Sequence, residues 1–253
     1  MNRLQSKVVI VTGGTSGMGS AFARRAASEG ATVVIGARDK ARGEATAAEI
    51  TADGGKVLFV PTDVTVEEEV ANLVDVTVRE FGGLHAAFNN AGGGNIQGTI
   101  RDSAASTWDR TIALNLTSVF YSLKHELPAI LASGGGSVVN NASVVGVAGD
   151  PTAVAYSAAK HGVVGLTRSA ALDVAKQGVR VNALVTGLVD TPLWRNFTAA
   201  NPDAANDLLS QQPSGRAAGE DEVAAFTAFL LSDESAFING AALAIDGALT
   251  ARY

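Results

Sequence analysis

Ser143, Tyr156 and Lys160 stand at a spacing that can move a proton. Tyr156 and Lys160 are four residues apart, so on a helix they share one face with Cβ atoms roughly 5–6 Å apart. An ammonium beside a phenol favours the phenolate and draws the phenol down from its usual pKa of about 10. Such a tyrosine gives a proton to a carbonyl oxygen in reduction and takes it back in oxidation. Ser143, at the end of a predicted strand, offers a hydroxyl to orient that oxygen. Spacing alone also fits an ordinary amphipathic helix surface, so the rest of the chain must decide.

A second chemical feature lies near the start. Between a β-branched run and a helical one comes Gly13-Gly14-Thr15-Ser16-Gly17-Met18-Gly19. Glycines at such a junction let the backbone approach a pyrophosphate, which then sits on the positive helix N-terminus. The spacing is Gly-x3-Gly-x-Gly, not the commoner Gly-x-Gly-x2-Gly, and no Gly-Lys-Ser/Thr follows. At the end of the second strand, where an acid would accept a ribose 2′-hydroxyl, stand Ala37 and Arg38. Losing the carboxylate and gaining a guanidinium favours a 2′-phosphate, hence NADP(H). Asp39 follows directly, and a one-residue change of register would favour NAD(H) instead.

These residues need a frame, and the chain supplies one. Strand-like runs at 8–12, 32–37, 56–61, 86–89, 137–141, 179–184 and 242–246 alternate with helix-like segments at 17–28, 40–52, 66–81, 103–131, 155–176 and 220–231. Parallel strands need crossovers, so this alternation predicts an α/β fold: a doubly wound parallel sheet with helices on both faces. No linker, repeat or charge block interrupts residues 1–253, which read as a single domain. Residues 187–215 break the rhythm with Pro192, Pro202 and Pro213 and read as an irregular lid.

Composition narrows the function. The net charge of −6 and pI near 5.1 argue against nucleic acid as a partner. With no cysteine there is no disulfide, thiolate metal site or thiol nucleophile. The longest uncharged stretch, 127–149, holds Pro128 and many glycines and reads as helix end, turn and strand, not as a membrane span. A cytoplasmic setting with no membrane partner is expected.

Taken together, Gly13-x3-Gly17-x-Gly19, Asn89-Asn90-Ala91-Gly92, Asn115, Ser143 and Tyr156-x3-Lys160 resemble, in order and spacing, the classical short-chain dehydrogenases/reductases (SDR). The likeness runs through Arg180-Val181-Asn182-Ala183 to Asp246-Gly247. It implies a Rossmann fold, Tyr156 as acid/base, Lys160 on the nicotinamide ribose, Ser143 orienting substrate and Asn115 holding a water that links the lysine to solvent. It also implies cofactor contacts at Thr15, Ser16, Met18, Asp63, Val64, Asn90, Ala91, Gly92, Gly187, Val189 and Thr191. Two departures stand out. Thr186-Gly187 replaces the family's usual Pro-Gly after the sixth strand, and no basic residue lies inside the glycine loop.

Other classes fare worse. A Ser-His hydrolase would need a Gly-x-Ser-x-Gly elbow, which is absent, and His85, His125 and His161 are scattered. Those histidines suggest no metal site. A non-catalytic dinucleotide sensor would have no need of Ser143, Tyr156 and Lys160 together. The segments expected to face the nicotinamide are 93–98, 144–151 and the lid, with Ser143, Val145, Leu188, Leu193, Trp194 and Phe197 contacting substrate. Few charges lie there, which predicts a neutral, largely apolar carbonyl or secondary alcohol, with Arg195 the cation that could change that. Apolar residues surround much of the 155–176 helix, so it is expected to be buried on two faces; with the family resemblance, this implies a homotetramer.

Overall fold

Each of the seven strand-like segments becomes a strand, and helices connect them. The computed structural model describes residues 2–93 and 98–252, so most of the 93–98 stretch expected beside the nicotinamide lies outside the described residues. In chain order the elements are β1 (Val8–Thr12), α1 (Gly17–Ser28), β2 (Thr32–Ala37), α2 (Lys40–Ala52), β3 (Lys56–Pro61), α3 (Glu67–Phe81) and β4 (Ala86–Asn89). Then come α4 (Ala105–Ile112), α5 (Ser118–Ala132), β5 (Gly136–Asn141), α6 (Val154–Val174), β6 (Val179–Thr186), α7 (Pro192–Ala200), α8 (Pro202–Gln211), α9 (Glu220–Leu231) and β7 (Ala242–Ile245). The sheet order is β3-β2-β1-β4-β5-β6-β7, parallel throughout. Strand order reverses between β1 and β4, and the crevice beyond their carboxyl ends is where such folds bind ligands.

Alternation along β1 divides the core in two. Val9 and Val11 face one side with Phe22 of α1 and Leu230 of α9, while Ile10 faces the other with Leu73 of α3 and Val163 of α6. Phe22 meets Phe88 edge to face at 5.2 Å between centroids. Each such fully buried side chain contributes about 1.5–3 kcal/mol, so the strand ends that carry the site rest on the most stable part of the molecule.

Three segments differ from the sequence reading. The helical stretch 103–131 is divided: a single π-helical turn, Ala113–Thr117, separates α4 from α5. Such turns accommodate one extra residue and recur at functional sites. The lid is helical, not irregular, because Pro192 and Pro202 each occupy the first helical turn, where the missing N–H costs nothing. Finally, β6 runs on to Thr186, which pairs with Ile245 of β7. A threonine keeps the N–H that the family's proline would lack.

Candidate active site

Strand tips and helix starts converge on one cleft of about 770 Å³ beyond β1, β2, β4 and β5. Gly13 adopts φ +67°, a left-handed conformation that a side chain would strain. A Cβ at Gly19 would run into the Gly13 carbonyl, so the loop closes tightly on α1. Ser16, the N-cap of α1, makes no side-chain cap, and its first-turn N–H groups stay free for an anion. Of the residues that the resemblance assigns to the cofactor, Gly13, Thr15, Ser16, Gly17, Met18, Val64, Asn90, Ala91, Gly92 and Thr191 line this cleft. Gly19, Asp63, Gly187 and Val189 lie outside its lining. Asp63 instead accepts hydrogen bonds from the Thr65 N–H and hydroxyl, at 2.9 and 2.7 Å.

The end of the cleft beyond β2 holds charges of both signs. Arg38 lines the cleft with an exposed side chain, 3.9 Å from Asp63 Oδ2. Arg42, one turn into α2, lines it too; sequence reading missed it, although its distance of four residues from Arg38 was visible. Asp39 also borders the cleft, but its carboxylate caps α2 by accepting the Arg42 N–H at 3.0 Å. These features fit a dinucleotide: a glycine-rich loop that closes tightly on α1 and a helix N-terminus without a side-chain cap for the pyrophosphate.

At the other end lie Tyr156 and Lys160 on α6. Lys160 is 2% exposed; its ammonium donates a 2.6 Å hydrogen bond to the Asn141 carbonyl and sits 5.5 Å from the Tyr156 ring centroid. Ser143 caps a short 3-10 turn, accepting the Val145 N–H at 3.4 Å, which leaves its own proton free to donate. The electrostatics differ from the sequence expectation. Burial pushes the phenol of Tyr156 up to about 12, and the Ser143 hydroxyl draws it back only in part. Burial also brings Lys160 down to about 8. Desolvation dominates both shifts, so the lowering of Tyr156 expected from the neighbouring ammonium is not what the structure gives.

Asn115 lies in the π turn, fully buried. Its side chain clasps the β4 loop: Oδ1 accepts the Gly93 N–H at 2.8 Å, and Nδ2 donates to the carbonyls of Gly93 and Thr111 at 3.1 and 3.0 Å. A Cβ at Gly92 would lie 2.8 Å from Asn115 Oδ1 and 3.6 Å from Lys160 Nζ. The side chains of Asn115 and Lys160 therefore both pack against that glycine.

Of the lid residues assigned to substrate, Leu193 lines the cleft and faces Gly93. Trp194 and Phe197 stack on each other at 5.7 Å, and with Leu188 and Val145 they lie off the lining. Leu114, Asn141 and Pro192 line it unforeseen. Arg195 is turned away: it bonds the Asp190 carbonyl at 2.9 Å and pairs with the carboxylates of Asp190 and Glu220. The histidines are structural or on the surface. His85 Nδ1 accepts the Val8 N–H, His125 meets Glu67, and His161 is exposed. Among the described residues no cluster of metal-binding side chains occurs, and no helix is long and apolar enough to cross a membrane.

Comparison with known proteins agrees with this geometry. A family model described as enoyl-(acyl carrier protein) reductase matches residues 13–250. The chain is 39% identical to a cyclohexanol dehydrogenase of Acinetobacter sp. (strain SE19), over 99% of this chain and 98% of the relative. It is 43% identical to a cis-4-hydroxycyclohexanecarboxylate dehydrogenase of Sinomonas cyclohexanicum, over 97% of each. The crystal structure of a levodione reductase superposes with a TM-score of 0.93 at 37% identity, covering 98% of this chain and 99% of that one.

Proposed function

Because the chain belongs to the classical short-chain dehydrogenase/reductase family, oxidoreductases that use nicotinamide dinucleotides on alcohol and carbonyl groups, we propose that it interconverts a neutral alicyclic ketone and its secondary alcohol with NADP(H). The observation that carries this reading is that Tyr156 and Lys160 line one end of a cleft whose other end holds Arg38 and Arg42, with Ser143 beside Tyr156 just off the lining. A bound nicotinamide supplies or accepts the hydride. Tyr156, protonated near neutral pH, gives its phenolic proton to the carbonyl oxygen in reduction and recovers it in oxidation. Ser143 donates to the same oxygen and fixes its position. Lys160, held on the Asn141 carbonyl, stabilises the phenolate left behind.

Substrate charge and ring follow from the surroundings. At the nicotinamide end the cleft offers Lys160 as its cation, and Arg195 is engaged outside, so an anionic substrate finds no clamp. The names of the relatives support a six-membered alicyclic substrate. An NAD(H)-dependent alcohol dehydrogenase is the alternative, and it requires Asp39 to leave its helix cap. The cytoplasm is the setting this reading implies. A homotetramer is supported by the outward face of α6, where Leu172 is 83% exposed, and by the fully exposed Phe237.

The test is initial rates with cyclohexanone and NADPH or NADH, and with cyclohexanol and the oxidised cofactors. Turnover faster with the phosphorylated cofactor, and abolished in Tyr156→Phe, is expected. Equal turnover in Tyr156→Phe would overturn the assignment, and a preference for NADH would transfer the ribose contact to Asp39. A light-scattering mass equal to the 25.7 kDa chain would refute the tetramer.

A further inference from the structure

One line of side-chain hydrogen bonds crosses four neighbouring strand tips, those of β1, β4, β5 and β6, of which the first three border the cleft. Asn90 Nδ2, beyond β4, donates to the carbonyls of Thr12 and Gly13 on β1, at 3.3 Å each. Asn141 Nδ2, at the end of β5, donates to Asn90 Oδ1 at 3.2 Å. The Thr186 hydroxyl, at the end of β6, donates a long hydrogen bond of 3.5 Å to Asn141 Oδ1. Asn141 and Thr186 are each 6% exposed. Asn141 has a second task, since its main-chain carbonyl takes the Lys160 ammonium at 2.6 Å.

We propose that Asn141 and Thr186 are positioning residues for Lys160: the amide and hydroxyl tie the β5 tip between β4 and β6, and so set where the ammonium lies relative to Tyr156. This rests on the acid/base reading of Tyr156 and Lys160 given above. The physical argument is short. A buried ammonium is stable only while its hydrogen bonding is good, because burial already favours the neutral amine. A charge-assisted hydrogen bond weakens steeply as its acceptor moves out of line. Tyr156 is the titratable group facing Lys160 from its own helix. The groups next to it from β5 and the β4 loop are Asn141 and Gly92, with Asn115 of the π turn against the same glycine, all uncharged. Among the described residues nothing else charged therefore compensates when the carbonyl shifts. An amine that turns neutral more readily gives the phenolate less support, and Tyr156 then needs a higher pH to act as a base. Threonine in place of the family's usual proline supplies the hydroxyl end of this line.

The test compares Thr186→Val, Thr186→Ser and Asn141→Leu with the parent enzyme, as pH profiles of cyclohexanol oxidation with saturating NADP⁺. In Asn141→Leu kcat should fall about tenfold and in Thr186→Val about threefold, with both KM values within about twofold. The acid limb should move to higher pH, by about half a unit in Asn141→Leu. Thr186→Ser should restore the parent profile, and the double variant should be no worse than Asn141→Leu alone. A ¹⁵N titration of the Lys160 ammonium, assigned by its loss in Lys160→Met, gives a readout that needs no turnover; its pKa should fall in Asn141→Leu and Thr186→Val. Unmoved acid limbs with an unmoved lysine titration overturn the proposal, as does a Thr186→Ser variant as impaired as Thr186→Val. Tyr156→Phe keeps the two claims apart. If it retains full turnover, the acid/base reading fails. If it is inactive while the other variants match the parent in both readouts, only the positioning role falls.

Discussion

Lys160 is 2% exposed and Asn115 fully buried, whereas in α7 and α8 the one buried residue is Ala205, and Leu193, which faces the cleft, is 63% exposed. The floor of the cleft and its lid thus differ in how firmly they are held. Floor residues sit on strand tips and on α6, over two cores of fully buried Val, Ile, Leu and Phe. The lid is secured mainly at its stem, where Val189 bridges Ala218, Arg195 reaches Asp190 and Glu220, and the Gln212 side chain donates to the Asp246 carbonyl. Proton transfer needs atoms placed to a fraction of an ångström, so it belongs on rigid elements. Under the proposed function, choosing and releasing a substrate would fall to α7 and α8, helices with little buried area.

The largest effect expected is on the floor. Tyr156→Phe should cost about 10³-fold in kcat/KM while leaving NADPH affinity within twofold, measured by steady-state rates and fluorescence titration. A comparable loss from any lid substitution would break the contrast.

Next comes a carboxyl buried behind the floor. Glu126 is fully buried; Oε2 accepts from Asn89 Nδ2 at 2.9 Å, and the same amide donates to Asn140 Oδ1. Burial raises Glu126 to about 7, and the Asn89 hydrogen bond offsets this only in part. Since the folded pKa lies above the usual 4.5, the unfolded chain loses its proton first, and stability declines as pH rises from about 4.5 through 7. Glu126→Gln mimics the neutral acid and offers an N–H to Asn89 Oδ1, which has no partner among the described residues. The variant should gain on the parent by up to about 3 kcal/mol between pH 5 and 8, read as melting temperature against pH. Parallel curves would show that Glu126 is ionised in the fold.

Arg38→Ala isolates cofactor capture from both regions. Loss of one charge-assisted contact, worth roughly 1.5–3 kcal/mol, should weaken NADPH about tenfold or more and leave NADH unchanged in paired titrations. The smallest effect is reserved for the lid. Leu193→Ala should raise the KM for cyclohexanone a few-fold with kcat unchanged. A fall in kcat instead would mean that lid closure helps assemble the floor.

Sequence reading and structure agree most closely where local signals suffice. β1, α1, β2, α2, β3 and β4 begin and end where β-branched runs, glycines and caps place them. Agreement fails in the lid, where Pro192 and Pro202 read as breakers but serve as helix starts. Proline has the same identity in both roles, and the residue's place in the turn decides between them. Arg42 and Asn141 escaped notice because a residue's membership of a cleft depends on which strand tips lie side by side.

Residue type and spacing by themselves determined the doubly wound fold, the glycine turn before α1 and the i,i+4 pairing of Tyr156 with Lys160, because periodicity and i,i+4 neighbours are properties of the local chain, whereas joining Ser143 to that pair rested on the family resemblance. The tertiary structure alone decided the electrostatics and the lateral ties. Tyr156 is pushed up and Lys160 down because residues distant in sequence exclude water from both. Likewise, Thr186, Asn141 and Asn90 meet only because β6, β5 and β4 are neighbours in the sheet. Desolvation and cross-strand contact arise from packing, and packing exists only once the chain has folded.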